Sequence, residues 1–166
     1  MPTTAKTPSK TKSVSKSHGR EKNALDLLKA DHKQVDGLFS EFEQTTAPAK
    51  KRNLAAEICM ALTVHAQVEE EMFYPEVKAA LKDKELVPEA TIEHGVIKDL
   101  VAQIQADQQG GEMFDARVKV LSEYVKHHVK EEEKEMFPKI KQSGLDLEEL
   151  GARMAERFET LRAAKH

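Results

Sequence analysis

Two histidines each stand four residues before a glutamate and ten before a proline. The first set is His65, Glu69 and Pro75; the second is His128, Glu132 and Pro138. A further histidine precedes each set at a nearly constant distance: His32 lies 33 residues before His65, and His94 lies 34 before His128. On an α-helix, residues i and i+4 share one face a turn apart, so each His-x-x-x-Glu pair can serve one site. Four imidazoles and two carboxylates on inward helix faces would be costly to bury without a counter-charge. A cation removes that cost. Imidazole with carboxylate suits borderline first-row metals, iron or manganese before calcium or magnesium. Two carboxylates from two helices are well placed to bridge a metal pair.

The elements that must position these residues are helical. The chain has 166 residues, 33% charged and 5% aromatic, with no Trp, a balance that favours helix over sheet. A first helix is expected over about 23–45, capped by Asn23, with Leu25, Leu28, His32, Val35, Leu38 or Phe39, and Phe42 on its inner face. Pro48 opens a second, which buries Leu54, Ile58, Leu62, His65, Glu69 and Met72 and should bend or end at Pro75. Pro88 and Glu89 open a third, with a stripe of Ile92, Val96 or Ile97, Leu100, Val101 and Ile104. After the Gly110-Gly111 breaker a fourth runs over about 114–142, with Val118, Leu121, Val125, His128, Glu132 and Met136 inward. Gly144 stops it, and Asp146, with Glu149 in a capping-box spacing, starts a fifth carrying Leu147, Leu150, Met154, Phe158 and Leu161.

Helices one and two, then three and four, form an internal repeat of about 62 residues with short connections. That pattern predicts an all-α fold, an up-down-up-down four-helix bundle with an additional C-terminal helix that caps the bundle or meets another chain. The expected divisions are a disordered basic tail over 1–22, a four-helix domain over 23–142 and an amphipathic helix over 143–166. The tail carries six Lys or Arg and one acid, +5, so the rest carries -8 of the overall -3. Its Lys, Ser, Thr and Pro residues offer little to bury. Any contact with nucleic acid through it would be weak and salt-sensitive. One cysteine, Cys59, excludes an intrachain disulfide, and no apolar run reaches membrane-spanning length, so a cytoplasmic protein is the expectation.

Several motifs are absent. No histidine has Glu three residues before it, there is no His-Glu-x-x-His, and no Gly-rich phosphate loop is present. Among the remaining residues, Glu135 and Tyr124 lie one turn from Glu132 and His128 respectively. A solvated Glu135 and core packing for Tyr124 are the expectations. Glu70, Glu71, Glu131, Glu133 and His127 are expected at the surface, and Cys59 as a small buried apolar residue.

The stretches Ala-Asp-His32, His65-x-x-x-Glu69 with Phe-Tyr-Pro, Glu-His94, and His128-x-x-x-Glu132 with Met-Phe-Pro resemble the haemerythrin-like, or HHE cation-binding, domains over about residues 23–142. The resemblance implies a non-haem di-iron centre of two iron ions. Its metal residues would be His32, His65, Glu69, His94, His128 and Glu132, the two glutamates bridging with an oxo or hydroxo group. It implies dioxygen, peroxide or nitric oxide as small ligand, with a place in stress response or iron handling. Peroxide consumption, sensing through the fifth helix and a metal-free interaction module are the alternative uses; the chain would be a monomer or a homodimer through the C-terminal helix. One departure bears on function: oxygen carriers of this family place a second histidine four residues after the third-helix histidine, and here Lys98 stands at that position.

Overall fold

The computed structural model describes residues 22–165, so the basic tail and His166 lie outside the described residues apart from Lys22. No strand occurs among the described residues, and no helix there is long and apolar enough to cross a membrane. The first rod is α1, Ala24–Gln44, whose Asn23 side chain accepts the Asp26 amide at 2.9 Å. The second begins with α2, Pro48–Val68, passes through a wide π-helical turn, Glu69–Phe73, and continues as α3, Tyr74–Leu81. The third is α4, Leu86–Ala106. The fourth repeats the second: α5, Glu112–Glu131, a π turn, Glu132–Met136, then α6, Phe137–Gln142. The C-terminal helix is α7, Leu147–Ala164, capped by Asp146.

Both rods continue as helix past Pro75 and Pro138. A proline clashes with the carbonyl four residues back and offers no amide hydrogen. Both rods answer with a π turn just ahead of the proline: Tyr74 N–H bonds to Glu69 O, and Phe137 N–H to Glu132 O, each five residues back. The third rod opens two residues earlier than Pro88 implies. Asp83 accepts the Leu86 and Val87 amides at 3.1 and 2.8 Å, satisfying the donors that a helix start leaves free.

The rods pack first to second, second to third, third to fourth and fourth to first, an up-down-up-down four-helix bundle. The choice between Leu38 and Phe39 falls to Phe39, and that between Val96 and Ile97 to Ile97. Ile92 is a correction, being 71% exposed. It stands two residues before His94, about 200° around the helix, and cannot share its face. Two apolar clusters fill the bundle: one around Phe39, Ile58, Val101 and Leu121, the other around Leu28, Val68, Phe73 and Phe137.

Helix α7 joins the second cluster through Leu150, Met154, Phe158 and Leu161, so its apolar stripe is buried within its own chain, against α1 and α2. The crossing is tight. A Cβ on Gly151 would fall 2.7 Å from the Ala24 nitrogen and 2.8 Å from the Lys22 oxygen. Only glycine lets the two backbones meet there.

Candidate metal centre

Each rod delivers one level of side chains between the two apolar clusters, and the six expected residues arrive together. His32, His65, Glu69, His94, His128 and Glu132 are all buried, the two glutamates almost completely. Their Nε2 atoms form two pairs: His32 with His65 at 3.1 Å, and His94 with His128 at 3.1 Å. Glu69 Oε1 reaches both pairs, 2.9 Å from His65 Nε2 and 3.4 Å from His94 Nε2. Glu132 does the same, Oε1 lying 3.3 Å from His32 Nε2 and Oε2 3.4 Å from His128 Nε2. The repeat in sequence is thus a repeat in space: each histidine pair comes from neighbouring rods, and both carboxylates span the two pairs.

The outer ring nitrogens complete the arrangement. His65 Nδ1–H donates to Asp31 Oδ2 at 2.5 Å, and Asp31 Oδ1 accepts from Arg162 of α7 at 3.0 Å. His128 Nδ1 faces Glu93 Oε2 at 3.5 Å. A carboxylate only accepts, so Nδ1 carries a proton, and the ring that gives up its other proton would turn an Nε2 lone pair inward, as a metal ligand requires. Asp31 and Glu93 are the residues immediately before His32 and His94, so the repeat extends to the groups behind the histidines. Glu133 and Glu70 stand farther off, 3.8 Å from His32 Nδ1 and 4.0 Å from His94 Nδ1. These two are therefore not simply solvated surface acids, as the sequence had suggested. Glu71 pairs with Arg157 of α7 at 2.8 Å.

One residue at the centre escaped the sequence reading. Tyr74 is buried, and its hydroxyl donates to Glu132 Oε2 at 2.7 Å while lying 3.2 Å from His94 Nε2 and 3.4 Å from His128 Nε2. In a regular α-helix Tyr74 would sit about 140° away from Glu69. The π turn bonds residues five apart and stacks the phenol over the carboxylate. Phe137 holds the same place in the second copy and stacks against the His32 ring at 6.4 Å. Tyr124, the other tyrosine considered, is 45% exposed and lies outside the core, and Glu135 is exposed. Lys98 is at the surface, its ammonium 2.7 Å from Glu70.

Electrostatics show what the centre requires. Burial disfavours a charged His65, yet Glu69 and Asp31 outweigh it and hold the imidazole well above its usual range. Burial also opposes charge on His128, but Glu132, Glu69 and Glu93 lift it to about 9. Glu69 is the mirror case: burial would raise it, and His65 and His94 hold it well below the carboxylate range. Burial and the two carboxylates push the Tyr74 phenol well above its usual value, so it stays protonated. Burial raises the Cys59 thiol to about 11, consistent with a small apolar residue. The centre therefore calls for positive charge, supplied by imidazole protons when no metal is bound.

The donors fit cations better than protons. Glu69 Oε1 and Oε2 and Glu132 Oε1 are buried and make no well-formed hydrogen bond. Buried carboxylate oxygens without partners are rare and costly. Facing imidazole nitrogens 3.1 Å apart are at the right spacing to share one ion at metal–nitrogen bonds of ~2.0–2.1 Å. One donor group, His32, His65, Glu69 and Glu132, and another, Glu69, His94 and His128, each place their atoms within 4.8 Å of one another.

Comparison with known proteins supports this reading. The family model described as Hemerythrin HHE cation binding domain matches residues 23–140. A Nostoc sp. protein named DNA nickase is 33% identical over 122 residues, 74% of this chain but 34% of that protein; the chain spans about a third of its length. An uncharacterised Mycobacterium tuberculosis protein is 28% identical over 86% of this chain and 89% of its own. The crystal structure of a Hemerythrin HHE cation binding domain-containing protein from Mycobacterium kansasii superposes with a TM-score of 0.74 at 26% identity, covering 86% of this chain and 89% of that one.

Proposed function

Because the chain belongs to the Hemerythrin HHE cation binding domain family, we propose that it is a non-haem di-iron protein that binds or reacts with dioxygen, peroxide or nitric oxide. The observation that carries this reading is the pair of histidine couples spanned by two carboxylates, three of whose four buried oxygens lack a hydrogen bond. His32 and His65 would hold one ion and His94 and His128 the other, with Glu69 and Glu132 within reach of both histidine pairs. Iron bound there would supply one-electron chemistry and affinity for small oxygen- or nitrogen-centred ligands.

The protein's own groups set the conditions. A cavity of about 30 Å³ adjoins all four histidines and is lined by Val35, Leu62, Ala66, Ile97 and Val125 among others. One water needs ~10–15 Å³ on the same measure, so the space suits a molecule of two or three atoms, and its apolar lining disfavours water. Tyr74 donates its proton to Glu132, orienting that carboxylate, and places a phenol oxygen beside the His94–His128 pair. That is the pair whose helix carries Lys98 instead of a further histidine. A donor set with oxygen in place of imidazole favours redox turnover or sensing over reversible oxygen carriage.

A sensing role has its own support in the Arg162–Asp31–His65 chain, which ties α7 directly to one ring of the centre. Spectra of the anaerobically iron-loaded chain, taken before and after peroxide and nitric oxide, test the proposal. New near-ultraviolet and visible bands are expected with each. Spectra indifferent to both ligands would remove small-ligand chemistry.

A further inference from the structure

We infer that Glu93, His127 and Glu131 form a second, peripheral site for a first-row divalent cation, and that this site feeds the buried centre from the third- and fourth-rod side. The three residues each offer one donor atom, all within 4.8 Å of one another. His127 Nε2 lies 3.2 Å from Glu131 Oε1, a His-x-x-x-Glu pair one residue out of step with His128 and Glu132. The same helical spacing that serves the centre thus serves the surface. One imidazole and two carboxylates suit the same class of cation as the centre, with water filling the remaining positions.

Position gives the site its role. The Glu93 side chain is 21% exposed and spans two environments: one carboxylate oxygen lies 3.5 Å from His128 Nδ1, while the carboxylate group faces His127 and Glu131 at the surface. A narrow cleft of about 10 Å³ runs beside it. Glu89, Glu93 and Glu131 line that cleft together with His128 and Glu132 of the centre. Leu86, Ala90 and Met136 complete its lining. Carboxylates gathered at such a cleft raise the local concentration of cations and speed their arrival. The opposite side of the centre lacks this feature. There α7 covers Asp31 with Arg162, a paired charge, and the groove that touches His32 sets Lys29, Lys33 and Lys126 against Asp36 and Glu133. Lysines outnumber acids in that groove, whereas the cleft beside Glu93 holds acids and no Lys or Arg, so the acidic cleft attracts a cation more strongly.

The surface site stands on its own residues, while the feeding role rests on the buried centre proposed above. The test uses the metal-free full chain and its His127→Ala/Glu131→Gln variant, an exposed and a half-buried residue outside the centre. Manganese(II) binding, followed by electron paramagnetic resonance, reads the peripheral site. Anaerobic iron(II) uptake, followed by rapid quench and metal analysis, reads the loading rate. The variant should lose one rapidly exchanging manganese site. It should load iron about tenfold more slowly, the lower end of what an oriented charged cleft contributes, and reach the wild-type final content with an unchanged apo melting temperature. Loading at the wild-type rate would overturn the feeding role, and manganese binding indifferent to the variant would overturn the site. If neither protein takes up iron in the core, the di-iron reading fails, while the manganese comparison still decides the peripheral site.

Discussion

The two halves of the bundle present the same ligands in different surroundings. In the half built from α1 and α2, Asp31 is buried, grips His65 at 2.5 Å and is itself held by Arg162, while the Phe158 ring lies 6.3 Å from the His65 ring. In the half built from α4 and α5, Glu93 is partly exposed, stands 3.5 Å from His128 and has only surface groups beyond it. Phe137 backs the first half; Tyr74 brings a hydroxyl to the second. Duplication accounts for the donor atoms, and the halves become unequal through α7, outside the repeat, and through exchanges within it, Asp31 against Glu93 and Phe137 against Tyr74. The first half is anchored through α7; the second has a partly exposed acid and a phenol hydroxyl at its histidines. Two ions held there would differ in rigidity and in polar surroundings.

The largest effect should follow from the residue that both halves share. Glu69→Gln removes the charge that His65 and His94 both face, leaving the charged His65 ring under-compensated in a core. Breaking a buried ion pair by removing one partner costs about 3–5 kcal/mol. Denaturant unfolding of the metal-free variant should show a loss of that order, and metal content should fall at both sites rather than one. Loss of a single ion would mean that Glu69 serves only its own half.

The pH dependence of the metal-free chain comes next. His128 titrates near 9 folded and near 6.5 unfolded, so its contribution to stability is complete below ~6.5 and is lost as pH rises through about 9. His65 is shifted in the same direction. Glu69 runs the other way: its contribution is present above ~4.3 and is lost as pH falls through its lowered folded value. Melting temperatures should therefore peak between ~4.3 and ~6.5 without metal, and the alkaline decline should vanish with metal bound, because ligand histidines have already released their protons. An alkaline decline unaffected by metal would place its origin elsewhere.

Gly151→Ala addresses the anchored half alone. The added methyl must displace backbone atoms of α1, at about 1–3 kcal/mol for overpacking. Hydrogen exchange should accelerate in α7 and around Asp31 and leave α4 and α5 near their wild-type rates. Uniform acceleration would show that α7 supports the whole bundle. Tyr74→Phe is the smallest change, making the second half resemble the first. It leaves Glu132 Oε2 without its donor, at about 1 kcal/mol, and should shift the spectrum of the iron-loaded chain; an unchanged spectrum would leave the phenol a packing role only.

The convergence of the six candidate donors was legible in the sequence because four-residue spacing maps directly onto one helix face, and the repeat marked each member twice. Asn23, Pro48, Gly144 and Asp146 were legible as helix punctuation for equally local reasons. Tyr74 was hidden because regular α geometry puts it on the wrong side of its rod, and only the π turn ahead of Pro75 corrects the phase. Asp31 and Glu93 carried a readable signal, an acid directly before each first histidine, yet which ring each would hold depends on the packing of neighbouring rods. Arg162 and Gly151 had none, since their partners lie more than a hundred residues away in α1. Ile92 was misplaced by following apolar character over helical phase.

Metal content after anaerobic iron loading and removal of loosely held ions tests the central claim most directly. The account predicts about two tightly held irons per chain, as two-metal sites require, falling to about one in a His94→Ala/His128→Ala variant that keeps the His32–His65 pair. One iron or none in the unaltered chain, or full loading in that variant, would contradict it.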